Sequence, residues 1–378
     1  MSVKRVTSQS FTSRLGNSVS GVLGGIALCI LAVALLFWNE GRAVDTARGL
    51  AEGETSVVSL DVIDHIDIDT NGNLVHLTGR AESGEVLHDD AFGMEVPALK
   101  LRRSVEMLQW RENSESKTRT KIGGGTETET SYTYEKIWSD SIIDSSQFEE
   151  EGHENPGAKP LESREVDAAE IRVGAYRLGP GLVARINRFE ELPPPGDLPE
   201  GHVAQGNVIF RSADPNAPQV GDLRIILKAA MPAEVSVVAR NNDGRLEGFK
   251  TSTGSTIQLL QYGEACAVEM FQAAKSANKT LTFGLRILGM LLLFVGVKSV
   301  LGPIAVVADV LPLVGRVTRA GTTLLSGIVA LPVAFATISI AWLAYRPLIG
   351  IGLILLGGAV VAGLVWYARK RAASAARA

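Results

Sequence analysis

The chain has 378 residues, 46% hydrophobic and 21% charged, with a formal net charge of −4. That balance excludes a disordered polyelectrolyte, and an acidic chain makes a poor nucleic-acid binder, because phosphate contacts need a basic surface. Two cysteines, Cys29 and Cys266, exclude a disulfide framework and a cysteine-held metal cluster.

In chain order, residues 1–18 form a short basic N-terminus with Lys4, Arg5 and Arg14, expected to be cytoplasmic. Val19–Trp38 follows without a charge, long enough as a helix to cross the ~30 Å hydrocarbon core of a bilayer. The run is too long for a secretory signal core, and Phe37-Trp38 reads as an interface anchor, so an uncleaved signal anchor is expected. Gly21 and Gly25 share one face of this helix and are candidates for close helix packing. Asn39-Glu40-Gly41-Arg42 reads as a polar step out of the membrane.

Residues 39–279 are expected to form an extramembrane α+β domain, and every acid of the chain except Asp309 lies in it. Short strands are expected at Ser56–Leu60 and Asn73–Arg80. Ala98–Trp110 alternates Leu99, Leu101, Val105 and Met107 against Lys100, Arg102, Ser104 and Glu106, the period of a half-buried strand. Thr130–Trp138 alternates again, and the polar stretch Glu112–Glu129 with Gly123-Gly124-Gly125 suggests a hairpin with a flexible tip. Gly181–Leu192 and Glu264–Asn278 have helical spacing, the second running on into the next apolar segment. Leu223–Lys228 and Val235–Arg240 read as strands, and Asn242-Asp243-Gly244 as a tight turn. A faint echo links 72–101 with 206–225, as a duplicated strand–loop–strand unit or by chance.

Three further apolar runs close the chain: Leu281–Leu301, Gly321–Ala344 and Leu348–Tyr367. The expected fold class is therefore a four-pass helical membrane module with a large β-rich α+β domain inserted between spans one and two. Arg286 and Lys298 sit near the ends of the second run, where their stems can snorkel to the headgroups. Residues 302–320 read as a cytoplasmic loop lying in the interface plane, with Asp309 its single acid and Pro312 breaking any helix. Pro332 should kink the third span. Gly358, among several glycines of the last run, is a further packing candidate, and 368–378 is a basic cytoplasmic tail. The bases in these short flanks put both termini and the 302–320 loop in the cytoplasm and the acidic domain on the other side. Arg346, in the short link between the last two runs, is then on the translocated side, where it is expected to pair with an acid of the domain and dock the membrane module to it.

No motif carries convincing enzyme chemistry. The five histidines are scattered, with no metal-ligand spacing. His88-Asp89-Asp90 reads as a solvated acidic loop before a metal site, and His153 as part of a structured turn before a catalytic base. No catalytic residue, cofactor or metal is therefore expected. The favoured reading is a membrane scaffold that self-associates through small-residue helix faces and displays its domain for binding. A lipid-binding or lipid-sensing protein comes second, motivated by 302–319, and a hydrolase using His153 or His88 third. Membrane lipids are expected neighbours, and nucleic acid is not.

Several strings carry a family resemblance: Asn39-Glu40-Gly41-Arg42-Ala43, Lys100-Leu101-Arg102-Arg103-x-Val105-Glu106-Met107-x-Gln109-Trp110, Gly152-His153-x-Asn155-Pro156, Val220-Gly221-Asp222-Leu223-Arg224 and Trp342-Leu343-x-Tyr345-Arg346-Pro347-Leu348. With the order of apolar runs, they make the chain resemble the LUMA (transmembrane protein forty-three) family from about residue 15 to 367. The resemblance implies no established enzyme activity. It implies organisers of the endoplasmic reticulum and inner nuclear membrane, with the domain in the lumen and with self, lamina and envelope partners. The family also has bacterial members. The short Ala/Arg-rich tail here leads us to expect one of those, in the cytoplasmic membrane with a periplasmic domain.

Overall fold

A computed structural model describes residues 3–310, 312–347 and 351–352. Gly358, almost all of the expected fourth span and the tail 368–378 lie outside the described residues. Five helices are present among them: α1 (Phe11–Ser56), α2 (Pro180–Val183), α3 (Ala267–Val300), α4 (Gly302–Ala308) and α5 (Pro312–Tyr345). Among the described residues three stretches are long and apolar enough to cross a membrane, Phe11–Ser56, Ala267–Val300 and Ala320–Tyr345. The chain forms two compact units. One is β-rich (Met1–Thr7, Gly49–Thr118, Thr128–Ala274), and the other is built on the helices (Ser8–Arg48, Arg119–Glu127 and the residues from Lys275 on).

The β-rich unit has two principal sheets. In the first, strand 100–120 lies between 126–139 and 223–230, and 208–211 and 203–205 continue outward from 223–230. Its core follows the two-residue period, for Leu223 faces Met107 and Ile225 faces Val105, all four buried. The polar positions of the same strand depart from the simple pattern. Lys100 is buried with its ammonium 3.5 Å from Glu165 and 3.3 Å from Asp167. Arg103 is buried with both oxygens of Asp89 at 2.8 and 2.6 Å. A buried base is tolerated only when paired, and each of these has its acid. Asp89 is thus an internal counter-ion, which corrects the reading of His88-Asp89-Asp90 as a solvated loop.

In the second sheet strand 233–242 pairs with 74–82, 245–247 and 259–262. Strands 245–247, 176–178 and 172–173 then lead back to 74–82, so these pairings close into a ring. Its interior holds Val75, Leu77, Val173, Tyr176, Val237 and Leu246. The expected turn at Asn242-Asp243-Gly244 is present, closed by the pairing of Asn242 with Arg245, and Asp243 and Gly244 take φ of 50° and 80°, the left-handed pair a two-residue hairpin needs. Strand 74–82 lies in the ring and 100–120 in the other sheet, whereas 208–211 and 223–230 are direct neighbours. The echo between the two segments therefore does not mark a duplicated unit.

Three further expectations change, and the long hairpin expected around Glu112–Glu129 is present, strand up to Thr120 and again from Thr126. Its polar side chains are tied across the pair, with Arg111 and Asn113 on Glu135, and the Ser116 and Thr118 hydroxyls on Thr130 and Thr128. Val3–Gln9, expected only as a basic tail, is a strand beside 126–139, with Lys4 on Glu129 at 2.7 Å and Arg5 on Glu149 at 2.8 Å. Gly181–Leu192 is helical for one turn only; Leu182 and Ile186 are buried, so the apolar spacing marks burial in place of a helix. Residues 302–320 are largely helical, and the break expected at Pro312 falls between α4, which ends at Ala308, and α5, which Pro312 begins. Proline lacks an N–H, which the first position of a helix leaves unbonded in any case.

In the helical unit α1, α3 and α5 enclose Ala32, Leu36, Leu293, Ala330, Ala334 and Ile338. Leu23, Ile30, Phe283, Phe335 and Ile340 are exposed on the same helices, the surface that lipid would cover.

Candidate functional site

The polar step read at residues 39–42 is a continuation of α1, and it is where the helical unit concentrates its polar chemistry. Asn39 and Glu40 are buried. Arg286 on α3 donates from Nε to Glu40 Oε1 at 2.6 Å and from Nη2 to Oε2 at 2.7 Å. Trp342 on α5 adds its indole Nε1–H to Oε2, also at 2.7 Å. One carboxylate thus gathers donors from both other helices, and the guanidinium carbon lies 5.6 Å from the Trp342 ring centroid. Desolvating a carboxylate is costly, and a bidentate arginine plus a third donor is the arrangement that offsets it. Arg286 does not snorkel to the headgroups; it is the internal partner of Glu40.

A second layer lies one helical turn on. Arg42 donates to Asn278 Oδ1 at 3.0 Å, Thr282 Oγ1 at 3.0 Å and Asn39 Oδ1 at 3.2 Å. Asn39 donates to the Thr282 carbonyl and Asn278 to the Ala43 carbonyl, each at 3.0 Å. These side chains bridge α1 and α3. Gly41 leaves room for Tyr345, since a Cβ there would lie 2.7 Å from the tyrosine Cζ. Asn39, Glu40, Gly41 and Arg42 therefore all serve helix contacts. Sequence reasoning missed this because polar residues just after an apolar run resemble an exit. The available signal was their continuation on a helix, opposite an arginine and a tryptophan inside other apolar runs.

Beside this node is a cavity of about 440 Å³ lined by Glu40, Lys275, Lys279, Arg286, Trp342 and Arg346 among others. Arg346, expected to pair with an acid of the β-rich domain, makes no ion pair among the described residues; its backbone N–H returns to the Trp342 carbonyl at 2.7 Å, and its side chain lines the cavity.

The remaining expected residues fall elsewhere. Gly25 packs on α3, where an added Cβ would lie 2.7 Å from the Gly296 carbonyl oxygen and 3.0 Å from the Val300 nitrogen. Gly21 has open space, so within the chain Gly25 alone of the two makes a close helix contact. Asp309 is buried and accepts from Arg14 Nη2 at 2.7 Å, and Arg14 also donates to the Gly124 carbonyl. His88 is an exposed partner of Glu95. His153 stacks on Tyr134 at 3.9 Å and meets Trp110 edge-on at 4.6 Å. Asn155 accepts from the Trp110 N–H at 2.7 Å and donates back to its carbonyl at 2.9 Å, standing in for a neighbouring strand. The Gly152–Pro156 string thus packs a strand end. Among the described residues no group of histidine, cysteine and acids could hold a metal ion.

The family model described as Transmembrane protein 43 matches residues 107–347. Transmembrane protein 43 of Homo sapiens is 34% identical over 360 residues, covering 92% of this chain and 90% of the human protein. The chain belongs to the Transmembrane protein 43 family. Its similarity extends to the Transmembrane protein 43 homolog of Drosophila melanogaster, 30% identical over 358 residues, covering 92% of this chain and 94% of the fly protein. These relatives of the Transmembrane protein 43 family are animal proteins, which counts against the bacterial source expected from the tail. No solved structure matches.

Proposed function

We propose that the chain is a non-enzymatic integral-membrane scaffold, self-associating and recruiting other membrane or envelope proteins through its β-rich domain. The observation that carries this reading is the node on Glu40. The buried Glu40 carboxylate is met by Arg286 and Trp342, and Arg42 donates to Asn278 and Thr282. Side chains so joined hold helices in register, and a rigid module suits a protein whose work is to present a surface. For a eukaryotic source the compartment we propose is the endoplasmic reticulum and inner nuclear membrane. The test is chemical cross-linking of the full chain in native membranes, followed by mass spectrometry. Reproducible cross-links to a second copy and to a small set of membrane proteins are expected; a chain cross-linked to neither would overturn the reading.

A second reading, lipid binding, is favoured by one observation, the basic cavity beside the node.

A further inference from the structure

We propose that the cavity beside Glu40 binds the headgroup of an anionic glycerophospholipid, with Lys279 and Arg346 holding its phosphate. This rests on the second reading above and gives it a site and a ligand class.

Charge comes first. Four bases and one acid are among the lining residues, Lys275, Lys279, Arg286 and Arg346 against Glu40. The acid already has both oxygens engaged by Arg286. Among the described residues Lys279 and Arg346 make no ion pair, although both face the same space. A phosphate fits such a place, because a guanidinium fork and an ammonium together match its oxygens.

Depth comes second. The cavity lies where three apolar runs end together: α1 at Trp38, α3 at Leu281 and α5 at Ala344. This is the level at which headgroups sit, and basic pockets between membrane helices are known lodging places for them. The neighbouring surface is apolar in the direction acyl chains would take. Phe283 and Ile287 follow Lys279 at steps of four along α3 and are 64% and 44% exposed, and Leu343, one turn before Arg346 on α5, is 42% exposed. Residues four apart on a helix lie one above the other. A cation above exposed apolar side chains on two adjoining helices matches a phosphate above its chains.

These two bases are ones that the node does not use. Arg286 is committed to Glu40, so it lines the cavity without being available to an anion; binding then falls to the bases at the rim. That division predicts that the rim can be changed without disturbing the helix packing.

The test titrates the purified full chain in detergent with phosphatidylglycerol and with phosphatidylcholine, reading bound lipid by native mass spectrometry. The wild type is expected to prefer phosphatidylglycerol. Lys279→Gln with Arg346→Gln should weaken phosphatidylglycerol binding about thirty-fold, the worth of two bases near an anionic headgroup, at an unchanged melting temperature. Lys279→Arg with Arg346→Lys should keep the preference, which guards against a loss caused by misfolding. A wild type that retains neither lipid would sink the lipid-binding reading and this site with it. A preference that survives the double glutamine variant would sink the site alone. Displacement of the lipid by millimolar inorganic phosphate would show that the anion, and not the lipid, is the ligand.

Discussion

Arg286 holds both carboxylate oxygens of Glu40, at 2.6 and 2.7 Å, although the two residues are 246 positions apart. Glu40 is on α1 and Arg286 on α3, so the pair joins helices that lie in sequence on either side of the β-rich domain. Trp342 brings α5 to the same carboxylate. Such a node tells against treating 39–42 as an exit segment and Arg286 as a headgroup contact.

Gly25 and Gly21 should behave differently on substitution. A side chain on Gly25 meets backbone atoms of α3, which cannot swing aside, whereas Gly21 opens on empty space. Gly25→Ile is expected to destabilise the detergent-solubilised chain by about 1–3 kcal/mol or more, as overpacking does. Gly21→Ile is expected to leave its melting unchanged. If Gly21→Ile instead lowers the particle mass without affecting melting, Gly21 lies at a contact between copies.

Lys4 and Glu129 should be joined by a short bismaleimide once both are cysteine. Their side chains meet at 2.7 Å where strand 3–9 runs beside 126–139. The charge bias of the flanks places these two segments on opposite sides of the membrane, and strands cannot pair through hydrocarbon without stranding polar groups there. Cross-linking of Lys4→Cys with Glu129→Cys in sealed membranes is the expected result. Its failure, with Lys4→Cys labelled only from the cytoplasmic face, would restore the charge-derived topology and remove strand 3–9 from the sheet.

Tyr134 should lend the β-rich unit a pH dependence at the alkaline end. Burial, then its hydrogen bond to Glu112, pushes the phenol from 10.0 up to about 12. A group whose folded pKa is raised stabilises the fold fully below its unfolded value and loses that contribution as pH climbs through the folded one. Denaturant unfolding of wild type and Tyr134→Phe should therefore differ by about 1 kcal/mol at pH 8, with the gap closing between pH 10 and 12. A gap independent of pH over that range would show that the phenol proton plays no part.

The sequence exposed the elements that rest on periodicity. The strands 74–82, 223–230 and 233–242, the two-residue turn at Asp243-Gly244 and the continuous α3 were all legible, because alternation and turn chemistry are local. What escaped was pairing between distant residues. Nothing local says that Lys100 is buried against Glu165 and Asp167, that Asp89 belongs to Arg103, or that Glu40 belongs to Arg286. A charged residue looks exposed until its partner is found, and the partner lies 246 residues away for Glu40 and 295 for Asp309. Gly25 was legible as a close-packing position, but its partner Gly296 was not.

The most direct test of the central claim, that the Glu40–Arg286 pair locks the membrane helices, is a double-mutant cycle read by thermal unfolding in detergent. Arg286→Gln strands the buried Glu40 carboxylate and should cost roughly 3–5 kcal/mol, whereas Glu40→Gln leaves unmatched a half-buried guanidinium and should cost less. The double variant should cost clearly less than the sum, because the second change removes a charge that the first had already stranded. Losses that simply add, or single variants that melt like the wild type, would contradict the account.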